Sequence, residues 1–359
     1  MGHEAMGSTR LPPPRPSALA HRPDPPRLSV VVPLYNCLPL TQAMLASLQA
    51  TLPAGLAHEI IFVDDGSTDG TRAWLASLTD PPFRVLLNER NLGYAVGNNR
   101  AAAVARGELL ALLNNDLVLT PGWLEPMLAA HAALGPRAGL IGNVQRDAKS
   151  GAVDHAGLVV NSTGKPVHLR RLPPPWSRAW RPVRPVPAVT GACLLVARDL
   201  WTQLGGFDEA YVNGGEDIDL GFRARALGRV NAVALRSVVR HHVSSSPGRK
   251  ARDEQNSHRL ACRWHREFLA AADYGRREWC LDWLAAALVR PRADTFRLAL
   301  AALAHTAGLR PAPPESVLGV ERGLAAEFSR WRSDFGLLPP AVYTPPPVAP
   351  ARTPDPQLH

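Results

Sequence analysis

The chain has 359 residues, 46% of them apolar and 20% charged, a balance that excludes both a globally disordered protein and a minimal single-core domain. Its 40 basic and 31 acidic residues give a formal charge of +9, which points to an anionic partner such as a nucleotide, a nucleic acid or a membrane surface. No apolar run is long enough to span a bilayer, and the first residues lack the apolar core of a secretory signal. The expected location is therefore the cytoplasm, with the inner face of the membrane as a peripheral site. Cys37, Cys193, Cys262 and Cys280 are widely spaced without metal-site spacing and read as reduced thiols.

Residues 1–27 are rich in Pro and Arg without periodicity and are expected to be a disordered tail. "LSVVVP" (28–33) is an apolar, β-branched run and reads as a buried strand. Helical spacing through Leu40, Met44, Leu45 and Leu48 predicts a helix over 40–50. "EIIFVD" (59–64) is a second strand, "STDGTRAWLASL" a helix opened by capping residues, and "FRVLLN" (83–88) a third strand. An Ala-rich helix over 94–106 leads to "LLALL" (109–113), the fourth strand. Strands alternating with helices imply βαβ units and a parallel sheet, and uniformly apolar strands suit a sheet covered on both faces.

Beyond residue 120 the alternation loosens. "GWLEPMLAAHAALG" predicts a helix, "AGLIGNV" and "GLVVNS" strands, and "AVTGACLLVAR" (188–198) a strand followed by a short helix. Residues 165–184 hold six basic residues, no acid and two Trp, and read as a loop. "EDIDLGFRARALG" starts a helix, and "VNAVALRSVVRHH" (230–242) is strand-like. Residues 255–305 are mostly helical by spacing, and a Pro-rich tail follows. The expected division is a tail at 1–27, an α/β domain at 28–250, a helical region at 251–338 and a second tail at 339–359.

Ligands of open parallel sheets bind beyond the carboxyl ends of the strands. There the first strand ends in Pro33, Leu34, Tyr35 and Asn36, the second in Asp64, Asp65, Gly66 and Ser67, and the fourth in Asn114, Asn115 and Asp116. Two carboxylates on one edge repel unless a cation or donor lies between them. A nucleotide base offers N–H donors to one, and a divalent cation holding a diphosphate satisfies the other. For Asp64 and Asp65, capping of the next helix is the open alternative. Glu216, Asp217 and Asp219 follow the glycine pair 214–215 at a helix start. Asp219 has i,i+4 spacing to Arg223 and reads as structural, which leaves Asp217 as a candidate general base. His241 and His242 end a strand and could complete a metal site or be ordinary surface residues.

Taken together, these segments resemble the family 2 glycosyltransferases. The matching stretches are "LSVVVPLYN", "EIIFVDDGSTDGT", "NERNLGYAVGNN", "GELLALLNNDLVLTPGWL", "VTGACLLVARDLWTQLGGFDEAYVNGGEDIDLGFRARALG" and "VVRHHVSSS", in the family's order over roughly residues 28–246. The layout is similar to the branch of bacterial rhamnosyltransferase-like enzymes. The resemblance implies a GT-A type fold, a mainly parallel sheet flanked by helices, with the C-terminal helices as an extension. It also implies a nucleotide-diphosphate sugar donor and a divalent metal, Mg²⁺ or Mn²⁺. By position it assigns Pro33 and Tyr35 to the base pocket, Asp65 to the base, and Asn91 and Gly93 to the loop beside the nucleotide. Asn114, Asn115 and Asp116 occupy the Asp-x-Asp position, Asp217 that of the catalytic base with Glu216 beside it, and His241 or His242 that of the metal-binding histidine. The chain departs from the family in offering only Asp116 where two acids are usual.

The activity implied is transfer of a sugar to a hydroxyl with inversion, in the synthesis of surface polysaccharide or glycolipid. The acceptor implied is a saccharide or lipid-linked molecule. Arg170, Arg171, Arg178, Arg181 and Arg184, with Trp176 and Trp180, could grip an anionic acceptor at the membrane surface. Two other readings stay open. One is a catalytically silent protein that binds sugar nucleotides; the other is a basic nucleic-acid-binding protein, for which no recognition motif is present.

Overall fold

The computed structural model describes residues 26–161, 165–172, 181–242, 252–289, 293–306, 309–310 and 314–337. The first part alternates β1 (Leu28–Leu34), α1 (Leu38–Thr51), β2 (His58–Asp64), α2 (Thr71–Leu75), β3 (Phe83–Leu87), α3 (Tyr94–Val104) and β4 (Leu109–Leu113). The second comprises β5 (Leu117–Leu119), α4 (Glu125–Leu134), β6 (Ala138–Asp147), β7 (Val153–His155), β8 (Leu158–Val160), β9 (Pro166–His168), β10 (Val183–Pro185), β11 (Cys193–Ala197), α5 (Arg198–Leu204), α6 (Glu216–Ala226) and β12 (Val230–His241). Three helices follow: α7 (Asp253–Val289), α8 (Ala293–Thr306) and α9 (Pro314–Phe335). Residues 1–25 and 339–359 of the two expected tails, and Arg178, Trp176 and Trp180 of the basic stretch, lie outside the described residues. Pro26 and Arg27, expected in the first tail, instead join the body, Pro26 buried and Arg27 N–H donating to Ala57 C=O at 2.9 Å.

The main sheet runs β10-β12-β6-β11-β4-β1-β2-β3. β1 pairs in parallel with β2 and β4, and β2 with β3, as the βαβ pattern predicts. The departure is β11, which lies antiparallel between β4 and β6. Two antiparallel steps leave β6 running with β4, and β12 is parallel to β6. The sheet is thus mixed: β11 is reversed inside the parallel frame, and β10 and β5 pair antiparallel with β12, and β7 with β6, at its far end. That reversal has a consequence for position. β11 begins where β4 ends, so residues 190–192 reach the carboxyl edge, and Asn114 N–H donates to Ala192 C=O at 2.9 Å. β12, running with the frame, delivers His241 to the same edge.

Strand side chains alternate between two apolar layers. Val30, Val32, Ile60 and Phe62 pack with Met44, Leu48 and Trp123 on one face. Val31, Ile61 and Val63 pack with Ala101, Leu200 and Trp201 on the other. Burying both faces explains the unbroken apolar runs, each fully buried Val, Leu, Ile or Phe contributing roughly 1.5–3 kcal/mol. The stretch 165–184, expected as loop, contributes two short strands: β9 pairs with β8, and β10 with β12.

A third apolar cluster joins the C-terminal helices to this body: Tyr211 and Phe222 meet Leu260, Trp264 and Phe268, with Val320, Leu324 and Trp331 of α9 beyond. α7 is kinked at Trp264 (φ −119°, ψ 25°), whose ring stacks on Phe222 at 5.6 Å. Its Nε1–H donates to Asp219 Oδ1 at 2.8 Å. Among the described residues, no helix is long and apolar enough to cross a membrane.

Candidate active site

The second strand ends in two acids with separate tasks. Asp64, fully buried, accepts from Ser67 N–H and from Arg72 Nε at 2.6 Å, and so secures the turn into α2. Asp65 looks the other way along the edge. Its Oδ1 accepts from Asn88 Nδ2 (2.7 Å) and Leu92 N–H (2.8 Å), and its Oδ2 from Gly93 N–H (2.8 Å). Neither acid caps α2, whose N-cap is Gly70 without a side-chain cap hydrogen bond; Asp64 instead ties down the turn that precedes it. Gly66 (φ 83°) makes this possible: a Cβ there would stand 2.7 Å from the Arg90 carbonyl carbon, so only glycine lets the 88–93 loop close over Asp65. A carboxylate offers about four lone-pair directions, and three are used here; the fourth, on Oδ2, is available to an N–H donor.

Around this loop, Pro33 is buried at the end of β1, Tyr35 is 45% exposed, and Asn91 is exposed. Asn36, at φ 56°, accepts from Thr68 and Asp69 N–H and joins the first strand's end to the second's. Tyr94, the first residue of α3, reaches across the edge, and its hydroxyl donates to Gly191 C=O at 2.8 Å. Gly191 N–H in turn donates to Asp217 Oδ2 at 2.9 Å. Asp217 Oδ1 accepts from Ile218 N–H at 2.8 Å, and the residue is only partly buried in the first turn of α6. Glu216, by contrast, is 6% exposed and folds back on the loop, its Oε2 accepting from Gly214 N–H.

The fourth strand's polar end divides in the same manner. Asn115 is committed to α1, its Nδ2 donating to Thr41 Oγ1 at 2.9 Å. Asn114 Oδ1 is buried without a hydrogen-bond partner. Asp116 Oδ1 lies 3.1 Å from His241 Nε2, close enough for an ion pair. The two atoms nevertheless miss the alignment of a hydrogen bond, and both are buried and unpartnered. Two ligands of one Mg²⁺-sized cation, each about 2.1 Å from it and at right angles, stand roughly 3 Å apart. That separation would suit a shared divalent cation. Asp116 and His241 make a pair of side chains that would serve as ligands; among the described residues no group of three His, Cys, Asp or Glu is metal-like. His242 meets Asp116 through the backbone, its N–H donating to Asp116 C=O at 3.0 Å.

Asp65, Asp116 and Asp217 therefore belong to one edge, linked through Gly93–Tyr94–Gly191 on one side and Asn114–Ala192 on the other. The sequence reading missed Asn88, Tyr94, His155 and His168. His155 is fully buried, and burial together with nearby His168 and His241 holds its pKa well below the usual histidine range. His168 packs edge-to-face on it at 4.8 Å; burial lowers its pKa, while Asp154 and Asp217 pull the other way. The signal was two lone histidines, in "VDHAG" and "PVHL".

A family model for Glycosyl transferase family 2 matches residues 29–172. An N-acetylglucosaminyl-diphospho-decaprenol L-rhamnosyltransferase of Mycobacterium tuberculosis is 33% identical over 244 residues, which cover 62% of this chain and 78% of that protein. An O-antigen biosynthesis protein of Myxococcus xanthus is 35% identical over 236 residues, covering 62% of this chain but 18% of that much longer protein. An uncharacterized protein of Sinorhizobium fredii is similarly long, the match spanning 28% of it. Among solved structures, a mannosyltransferase of Pyrobaculum calidifontis in complex with GDP-Man and Mn²⁺ aligns over 85% of this chain and 87% of its own, at 21% identity and TM-score 0.50. That likeness extends to the fold, which is of the GT-A type.

Proposed function

The chain belongs to glycosyl transferase family 2, and from that premise we propose that it moves a hexosyl or deoxyhexosyl group from a nucleotide-diphosphate donor to an acceptor hydroxyl, with inversion. The observation that carries this reading is the single edge on which Asp65, the Asp116–His241 pair and Asp217 stand. In it, Pro33 and Tyr35 flank the base, Asp65 takes a base N–H on its remaining lone pair, and Asn91 and Gly93 border the nucleotide. Asn114 contributes its unpartnered carbonyl oxygen toward the donor. Asn115 and Glu216 support the edge from behind through Thr41 and Gly214.

Asp116 and His241 would hold Mg²⁺ or Mn²⁺, which when bound supplies positive charge for a departing diphosphate. Asp217 accepts the proton of the acceptor hydroxyl, whose oxygen forms the new bond to the anomeric carbon as the bond to the diphosphate oxygen breaks on the opposite face. A single carboxylate base and a charge-stabilised leaving group suit one displacement. Gly191 N–H, fixed by Tyr94, keeps the carboxylate oriented for that transfer.

The acceptor is proposed to be a lipid-linked saccharide, by likeness to the Mycobacterium tuberculosis relative, with a role in surface polysaccharide or glycolipid synthesis. Arg170 and Arg171, beside His168, would face its anionic part. Peripheral contact with the inner face of the membrane is supported by α8, where Phe296, Leu300 and Leu303 form one exposed stripe with Val289 and Leu309 exposed at its ends.

The test is a screen of UDP-, dTDP- and GDP-sugars for Mn²⁺-dependent thermal stabilisation and turnover, in wild type and Asp217→Asn. A loss of about 10²–10⁴-fold in turnover with donor stabilisation kept is expected for loss of a general base. Donor stabilisation without turnover in the wild type would favour a silent binding protein, and equal loss of binding in Asp217→Asn would overturn the role of Asp217.

A further inference from the structure

His155 takes no part in the chemistry just described, yet it is 0% exposed in a three-residue strand next to it. Its Nε2 accepts from Gly157 N–H at 3.1 Å and from Thr190 N–H at 3.4 Å. A ring nitrogen that accepts N–H groups carries no proton, so the ring is the Nδ1–H tautomer, and its lowered pKa agrees. His168, edge-on at 4.8 Å, fixes the plane of the ring. The residue after Thr190 is Gly191, whose N–H holds Asp217 and whose C=O holds Tyr94. Thr190 Oγ1 adds a weaker link, accepting from Ala192 N–H at 3.4 Å, just before β11. The Thr190–Gly191 turn thus touches Asp217, Tyr94 and His155 together.

We propose that His155 is a positioning residue for Asp217: its acceptor nitrogen sets the Thr190–Gly191 turn, and the turn sets the carboxylate. The inference rests on the reading of Asp217 as the base. A misplacement of about 1 Å between reacting groups costs on the order of 10²-fold in rate, so a short, fully buried tether to the backbone is enough to matter. His155 contacts neither donor nor acceptor in this account, and its loss should spare binding.

Three variants separate position from packing. His155→Gln places an amide oxygen the same number of bonds from Cβ as Nε2 and keeps the acceptor. His155→Asn places its oxygen at the Nδ1 position, and His155→Leu removes the acceptor at similar volume. The expected result is turnover lowered roughly 10–100-fold in the Leu and Asn variants, the range typical of lost outer-shell partners, with donor KM within about twofold of wild type and His155→Gln recovering most of the rate. Where His155→Leu does not fold, the comparison of Gln with Asn carries the test. Equal turnover in the Gln and Asn variants, wild-type turnover in Leu, or a parallel loss of donor affinity and rate would overturn the inference. Asp217→Asn is measured beside them. If Asp217→Asn is inactive while His155→Leu works normally, only the inference fails; if Asp217→Asn keeps full turnover, the reading of the base has failed first.

Discussion

At the amino edge of the sheet, the buried Glu59 carboxylate meets donors on every side: Ser29 Oγ at 2.7 Å, Arg106 N–H at 2.6 Å, Arg84 at 3.0 Å and Arg106 Nε at 3.2 Å. At the carboxyl edge, Asp116 Oδ1, Asn114 Oδ1 and both ring nitrogens of His241 are buried without a hydrogen-bond partner. The two edges belong to the same sheet. One is a closed polar network, which stabilises the fold; the other holds acceptors together at a cost in stability, as a ligand-binding edge does. A buried polar atom left unpaired costs about 1–3 kcal/mol, so the second arrangement persists only where something else accounts for it.

The largest effect that would break this contrast is at Asp116. Asp116→Ala should weaken Mn²⁺-dependent donor stabilisation on the order of 100-fold, at or above the range seen when supporting partners of a metal site are lost. Measured without metal or donor, its melting temperature should equal or exceed the wild type's. A marked fall would mean that Asp116 belongs with Glu59 as a structural acid.

Next in size is Glu59→Gln, expected to destabilise by about 1.5–3 kcal/mol in urea unfolding, the range for hydrogen bonds to a charged group, without changing donor affinity. Burial alone would raise the Glu59 pKa, but the bonds from Ser29, Arg106 and Arg84 more than offset it and hold the carboxyl below its usual range. A folded-state pKa below the unfolded one gives stability that is complete above the unfolded value, about 4.3, and is lost as pH falls through the folded value. Wild-type stability should therefore drop below about pH 4, and Glu59→Gln should flatten that limb. An unchanged acid limb in the variant would remove Glu59 from the account.

The smallest effect sharpens the comparison by testing a third network. Trp264→Phe keeps the stacking on Phe222 and deletes one donor to Asp219, which retains Arg223 and Arg263. A loss of about 1 kcal/mol is expected by thermal unfolding. A loss above 3 kcal/mol would show that the indole itself, not its N–H, holds α7 to α6.

The βαβ part was legible because apolar period and turn glycines agree there, and β1 to β4 fall within a residue or two of their expected bounds. The capping residues misled, since α2 is only Thr71–Leu75 with Gly70 as its N-cap. The reversed β11 was not legible as such. A strand buried on both faces reads the same in either direction, so "CLLVA" carries no sign of its orientation. β7, β9 and β10 have three residues each, too few for a period. At the site, residue types and motif order pointed to the carboxyl edge, where Asp65, Asp116 and Asp217 stand in the structure. They did not separate Asp64 from Asp65 or Asn114 from Asn115, because each division depends on a partner far along the chain: Arg72 and Asn88 for the acids, Thr41 for the second amide. His155 stood out only as a lone histidine, its meaning residing in a turn 35 residues later.

The kink at Trp264 has a practical corollary for anyone producing a shortened version of this protein. A fragment cut at the end of β12 would strip two of the three cationic or N–H donors from Asp219, two residues from Asp217, and turn Tyr211 and Phe222 out to water. α7 itself is latched by α9, where Trp331 and Arg330 both bind Glu254. A piece that keeps α6 packed as it is here therefore runs through residue 337, well past residue 172, where the family-model match ends.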